Sequence, residues 1–269
     1  MTFVPQSSET VFADTVLLDR DDGIGRITLN RPEVGNALDA ATLQALTAVL
    51  HAVCDDSSTR VVVIAGAGEM FCVGGDINTF SSGDDLPERL DSLLTPFNEA
   101  ICRLASSGLP VVTAVNGAVG GGGIGLALCG DFVLAAESMK MRCGYSAIGL
   151  TPDAGSSWFL ARRVGAIKAK HLFLLNESLT AQECQASGIV DEVHADADLA
   201  DRTHELASRL RDSPRRVAAR IKALIDQLDQ RTLSEHLQKE LEYIVASGSE
   251  ADAREGIAAF LAKRPPRFT

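Results

Sequence analysis

Two glycine-bearing segments constrain this chain more than any other feature: Phe71-Cys72-Val73-Gly74-Gly75-Asp76, and Val115-Asn116-Gly117-Ala118-Val119-Gly120-Gly121-Gly122-Gly123-Ile124-Gly125-Leu126. Each follows a run that reads as a buried strand, and glycine lets the backbone approach a neighbour or a ligand more closely than any side chain permits. Backbone N–H groups converging from two such segments form an oxyanion hole, which stabilises negative charge growing on a carbonyl oxygen; losing one donor costs about 100- to 1000-fold in rate. A helix pressed so tightly on a sheet that only glycine fits uses the same packing, so the structural and the functional readings are compatible.

The flanking sequence predicts an α/β rhythm. Thr15-Val16-Leu17-Leu18-Asp19 and Ile24 to Leu29, separated by Asp21-Asp22-Gly23, read as an antiparallel hairpin. Leu38, Leu43, Leu46, Val49, Leu50 and Val53 recur at helical spacing before Val61-Val62-Val63-Ile64-Ala65, a buried parallel strand. Leu90 to Leu104 reads as a helix with a break or restart at Pro96; Pro110 to Val115 is a strand, Gly122 to Leu128 starts a helix, and Phe132-Val133-Leu134-Ala135 is again a strand. From Leu199 to Ala262 amphipathic helices follow, broken near Asp212-Ser213-Pro214 and Gly248. The expected organisation is an α/β core over residues 1–198 with a helical region over 199–269 packed against it, because no low-complexity linker separates them.

A chain of 269 residues can bury a sizeable core in one such domain. Its net charge of −11 argues against nucleic acid or an anionic membrane surface as partner, so an anionic ligand must be attracted by local Lys and Arg. Six cysteines without C-x-x-C spacing favour reduced, buried thiols, and Met1 to Ala13 carries no export signal; the expected location is the cytoplasm. The five histidines show no metal-ligand or nucleophile-partner spacing, and no metal is expected. Gly120-x-Gly122-x-x-Gly125 with Glu137 formally matches a dinucleotide fingerprint, which would make the chain a nicotinamide-dependent oxidoreductase. That match is weak, because four consecutive glycines exceed what one tight turn needs and the loop does not open a first βαβ unit.

Further motifs carry a resemblance. Leu29-Asn30-Arg31-Pro32, Asn36-Ala37-Leu38, the two glycine segments through Asp131, Arg254-Glu255-Gly256-Ile257-Ala258-Ala259-Phe260 and Lys263-Arg264 occur in an order similar to that of the crotonase, or enoyl-CoA hydratase/isomerase, superfamily. The resemblance spans nearly the whole chain. It implies a crotonase-like spiral of β-β-α units with a C-terminal helical region, a homotrimer or dimer of trimers, and an acyl-CoA substrate whose coenzyme A is part of the substrate, with no other cofactor. It further implies that the Gly75 and Gly122 N–H groups hold the thioester oxygen, that the Val73 carbonyl lies near the adenine, and that Phe260 and Lys263 meet the CoA of a neighbouring subunit. The plain alternative for Lys263 and Arg264 is a solvated helix end, where cations suit the dipole.

Hydratases of this family use two glutamates, and here the corresponding positions are Gly125 and Tyr145. Neither supplies a carboxylate. Asp153 matches the acid/base aspartate of dienoyl-CoA isomerases and of isomerases acting on ring-epoxidised phenylacetyl-CoA, whose motif Ile148-Gly149-Leu150-Thr151-Pro152-Asp153-Ala154-Gly155 resembles. Its structural alternative is an N-cap for a helix over Ala154 to Arg163. Tyr145 is expected to orient substrate, donate a hydrogen bond or pack against the sheet, and Trp158 to sit in the core or line the acyl pocket. The segment Ile77 to Leu94, with Phe80, Leu86, Leu90 and Leu93, is expected to border that pocket. The activity expected on these grounds is isomerisation of an acyl-CoA; an enoyl-CoA hydratase and a non-catalytic acyl-CoA-binding homologue are the alternatives within the family.

Overall fold

The computed structural model describes residues 10–78 and 85–269; Phe80 lies outside the described residues. An antiparallel meander of β1 (Thr10–Ala13), β2 (Val16–Asp21) and β3 (Ile24–Leu29) opens the fold. Asp22 (φ 45°) and Gly23 (φ 80°) turn β2 into β3 with two left-handed residues, the backbone that matches the twist of a two-residue hairpin. The strands β4 (Val61–Gly66), β5 (Met70–Cys72), β6 (Val111–Val115), β7 (Ala118–Gly120), β8 (Phe132–Ala136), β9 (Lys140–Arg142), β10 (Ser178–Thr180) and β11 (Glu192–His194) follow. They divide between two sheets: a seven-stranded one in the order β1-β2-β3-β4-β6-β8-β11, parallel from β3 onward, and a four-stranded one in the order β10-β9-β7-β5. The three-residue strands of the small sheet have no periodicity to read, and only the turns flanking them mark the sequence.

Helices α1 (Ala40–Asp55), α2 (Leu86–Ser106), α3 (Gly122–Leu128), α4 (Ser156–Leu175) and α5 (Ala181–Ala186) belong to the α/β part; α6 (Leu199–Arg211), α7 (Arg215–Asp226), α8 (Leu233–Gly248) and α9 (Ala251–Leu261) follow it. Every residue of β4 and β6 is buried, as in a sheet covered on both faces. Alternation along β4 sends Val62 and Ile64 into the core shared with α1 and α2, while Val61, Val63 and Ala65 pack with Leu199 and Ala207 of α6. The first helix after the expected boundary at residue 198 therefore closes the second face of the main sheet.

Pro96 does not interrupt α2, in contrast to the break expected there. Leu93, Phe97, Ala100, Ile101 and Leu104 form one buried face on both sides of the proline, and this packing outweighs the loss of one backbone hydrogen bond. Among the described residues no helix is long and apolar enough to cross a membrane. All six cysteines are free; Cys72, Cys129, Cys143 and Cys184 are buried, whereas Cys102 is exposed.

Candidate active site

The first glycine segment is fixed from the chain entering α1. Asn36, buried and left-handed (φ 56°), donates from Nδ2 to the carbonyls of Ala67 (3.0 Å) and Met70 (2.7 Å), and its Oδ1 accepts from the Arg31 N–H (2.8 Å). Arg31 donates to the Ala37 carbonyl (2.7 Å) and pairs with Asp39 (3.0 Å) and Asp76 (3.5 Å). Leu38 then bridges the segment: its N–H donates to the Gly74 carbonyl (2.8 Å) and its carbonyl accepts from the Asp76 N–H (3.0 Å). Gly75, between those two bonds, keeps an N–H with no acceptor among the described residues. The motif residues Asn36, Arg31 and Leu38 thus act on the site through its backbone.

The second segment runs from β7 into α3. Gly121 adopts φ 49° and donates to the Cys143 carbonyl (3.2 Å); the next N–H, that of Gly122, opens the helix and has no acceptor among the described residues. The segments touch: a methyl group added to Gly121 would lie 3.3 Å from Gly74 Cα and 3.9 Å from the Gly75 nitrogen. Deeper in α3 the contact is backbone on backbone. A Cβ at Gly123 would stand 2.4 Å from the Cys72 carbonyl oxygen, and one at Gly125 only 2.0 Å from that of Ala154. The space that a hydratase glutamate would need at position 125 is occupied by main chain.

Asp153 lies beside the start of α3. A Cβ on Gly122 would be 3.1 Å from Asp153 Oδ1, and that same oxygen accepts a 2.5 Å hydrogen bond from Tyr145 Oη. Tyr145 opens a short 3-10 turn (Tyr145–Ile148) and is buried, its ring against Phe173 with centroids 6.1 Å apart. Its hydroxyl also stands 3.1 Å from Ser156 Oγ, which is 3.4 Å from the Gly121 carbonyl. Burial raises the Asp153 carboxyl above the ordinary aspartate range, and the Tyr145 hydrogen bond opposes that rise. Burial, with the neighbouring Asp153 charge, also raises the Tyr145 phenol, which therefore keeps its proton. Burial pushes the Cys72 thiol up to about 12.

Asp153 is not a helix cap. Helix α4 begins at Ser156, two residues later than expected, with left-handed Gly155 (φ 76°) at the cap position and no side-chain cap bond. Ala154 is also left-handed (φ 49°), so two consecutive residues turn the chain and direct the Asp153 side chain to Tyr145. Trp158 does not enter the core: it is 58% exposed, with the Arg162 guanidinium 5.5 Å from the ring centroid. Leu86 and Leu90 are half-buried and Leu93 is buried. Val73 is exposed at the end of β5, its N–H bonded to the Gly35 carbonyl (3.0 Å). The structure brings Gly75, Gly122, Tyr145 and Asp153 together. Phe260, 83% exposed, and left-handed Lys263 (φ 53°) sit at the end of α9 without a side-chain hydrogen bond or ion pair among the described residues. Arg264 is paired with Glu255 (2.7 Å), whose carboxyl falls to about 2 under Arg264 and the Arg267 N–H, so its guanidinium is not merely solvated. Ser156 was not singled out by sequence; it looked like one more small residue in Ala154-Gly155-Ser156-Ser157.

A mostly parallel main sheet, a second small sheet and their helices, with two adjoining glycine segments beside one half-buried carboxylate, define an α/β protein with a candidate site on backbone N–H groups. The sequence profile of the enoyl-CoA hydratase/isomerase family matches residues 19–269, and the chain belongs to that family, with the crotonase fold. The 1,2-epoxyphenylacetyl-CoA isomerase of Escherichia coli K12 is 37% identical over 256 residues, covering 94% of this chain and 98% of the relative. A Rhodobacter capsulatus relative that carries the name of an enoyl-CoA hydratase is 37% identical over 258 residues, covering 95% and 98%. The crystal structure of an enoyl-CoA hydratase from Polaromonas sp. JS666 superposes with a TM-score of 0.89 at 32% identity, covering 94% of this chain and 99% of that one. Acyl-CoA chemistry follows from the family; the relatives' names divide between isomerase and hydratase.

Proposed function

We propose that the chain is an acyl-CoA isomerase that moves a double bond, or assists a ring rearrangement, through an enolate held by the Gly75 and Gly122 N–H groups, with Asp153 carrying the proton. The observation that carries this reading is the Ala154 carbonyl in the space of a side chain at position 125, with Tyr145 at the second glutamate position. Asp153 is left as the carboxylate at the junction of the glycine segments.

With a 3-enoyl-CoA the thioester oxygen accepts from the two N–H groups, which lack protein acceptors among the described residues. Asp153 Oδ2, the carboxylate oxygen that Tyr145 does not engage, takes a proton from C2; the C2–H electron pair enters a dienolate whose charge rests on the thioester oxygen. The same proton then returns from Oδ2 to C4, and the double bond moves from C3=C4 to C2=C3. The step adds no water and is redox-neutral, so it requires no electron acceptor. A carboxylate raised by burial is a better base than a free one, whose pKa is about 3.9.

The same reading includes a homotrimer, or a dimer of trimers, in which Phe260 and Lys263 reach the CoA of the next subunit. The exposed apolar row Leu233, Leu237, Leu241, Ile244 and Val245 on α8 supports self-association, because it repeats at helical spacing along one face. The reaction is tested by incubating the protein with a 3-enoyl-CoA and, separately, a 2-enoyl-CoA, following products by mass and chromatographic position. A shifted double bond at unchanged mass is the expected result. Addition of water to the 2-enoyl-CoA would replace the isomerase reading with a hydratase.

A further inference from the structure

Tyr145 is the residue least accounted for by the reaction as written. Its hydroxyl has one proton, and that proton is given to Asp153 Oδ1 at 2.5 Å. Toward Ser156 it can then only accept, so Ser156 Oγ is the donor across their 3.1 Å contact in preference to the 3.4 Å contact with the Gly121 carbonyl. The chain of donation runs Ser156 to Tyr145 to Asp153, and each bond polarises the next. Ser156 is fully buried and Tyr145 nearly so, which keeps water from replacing either donor.

We propose that Tyr145, backed by Ser156, is a positioning residue for Asp153: it fixes Oδ1, leaves Oδ2 as the oxygen presented to the acyl chain, and keeps the carboxylate ionised in a dehydrated site. This rests on Asp153 being the proton carrier. Among the described residues, the titratable groups facing the carboxylate are Tyr145 from the 3-10 turn and Cys72 from β5, while α3 presents only glycine backbone. Cys72, with its thiol pushed up to about 12, is neutral throughout the working range, so Tyr145 is the side chain that opposes the desolvation of Asp153, ahead of the smaller help from the residue's own backbone N–H. Burial and the adjacent carboxylate raise the phenol, so it remains a donor wherever Asp153 is ionised.

The test compares wild type, Tyr145→Phe, Ser156→Ala and Asp153→Asn with a 3-enoyl-CoA, together with a carbon-13 titration of the Asp153 carboxyl, assigned by its absence in Asp153→Asn. Phe keeps the ring packing on Phe173 and removes only the donor. In Tyr145→Phe the acid limb of kcat/KM and the carboxyl titration are both expected to move up by about one pH unit, since a hydrogen bond to a charged group is lost. The alkaline plateau of kcat should fall about tenfold, with KM within twofold of wild type, if loss of positioning reaches the transition state alone. Ser156→Ala should move both pH readouts in the same direction by less, and it carries the test should the Phe variant not fold. An unmoved titration in the variants overturns the inference while leaving Asp153 as base if Asp153→Asn is inactive. An active Asp153→Asn enzyme overturns the reading beneath it, and the inference with it.

Discussion

The two glycine segments and helices α7 to α9 solve opposite packing problems. Around Gly123 and Gly125 the backbone of α3 lies against the backbones of Cys72 and Ala154 with no room for a single methyl group, and at Gly122 a methyl would press on the Asp153 carboxyl at 3.1 Å. On α8 only His236 is buried, and five large apolar side chains face outward. The glycine segments are specified by excluding side chains, which in the proposed reaction lets the Gly75 and Gly122 N–H groups serve one oxygen. The C-terminal helices display large apolar side chains that the rest of the described chain leaves exposed, and in the assembly proposed above another subunit's surface would cover them. Substitutions should therefore be punished by different physics in the two places.

The largest effect is expected at Gly125. Gly125→Ala sets a Cβ 2.0 Å from the Ala154 carbonyl oxygen, and because that atom is backbone, no rotamer relieves the clash. Urea unfolding should show a loss of about 3 kcal/mol or more, the upper range for overpacking a rigid site. Gly248→Ala is the comparator: nothing lies within 4 Å of its Cβ position, and stability should rise by about 0.5 kcal/mol through helix propensity. Equal, small changes in both would dissolve the contrast between the two regions.

Asp153→Asn comes next, with a large effect on turnover and the opposite sign on stability. Turnover should fall about 100- to 10,000-fold, the usual contribution of a positioned acid/base group. Wild-type activity should be lost as pH falls through the raised Asp153 pKa. That raised value means the folded chain holds this proton to higher pH than the unfolded chain does, so ionised Asp153 destabilises the fold, and the cost grows as pH rises through the window between the two values. At pH 7 the Asn variant, whose Oδ1 still accepts from Tyr145, should melt higher than wild type, and near pH 3 the difference should vanish. A lower melting temperature at pH 7 would mean that the carboxylate is a structural asset.

The parts of this arrangement legible in the sequence are those that depend on side-chain periodicity or on glycine. The hairpin, α1, β4, β6, β8 and the breaks at Asp212-Ser213-Pro214 and Gly248 follow from apolar spacing and turn residues, and the structure has them. The small sheet is not legible, because Met70–Cys72 and Ala118–Gly120 are too short for a period of two to repeat. The continuity of α2 through Pro96 required knowing which face was buried. At the site, Gly75, Gly122, Tyr145 and Asp153 were identifiable as candidates, yet their hydrogen bonds were not. The left-handed turn at Ala154 and Gly155 shifts the start of α4 and frees Asp153 from capping, and alanine at φ 49° has no sequence signature. Ser156 became visible only through its hydroxyl's distance to Tyr145.

The outward face of α8 gives the mildest test. Leu237→Glu with Leu241→Glu replaces two adjacent members of the apolar row, both more than half exposed in the single chain. Little packing within the chain is removed, so helical circular dichroism should be unchanged, and surface substitutions of this kind alter intrinsic stability by about 0.5 kcal/mol. Self-association should be lost, because four buried carboxylates or more at a symmetric contact would each need a partner the face does not contain. Light scattering should read a trimer or hexamer for wild type and a monomer for the double variant. If Phe260 and Lys263 serve the neighbouring subunit's CoA, KM for the 3-enoyl-CoA should rise in the monomer while Asp153 still titrates as in wild type. An unchanged oligomer would mean that the row on α8 is covered by something other than a second copy, and the distinction between the two regions would then concern burial within the chain alone.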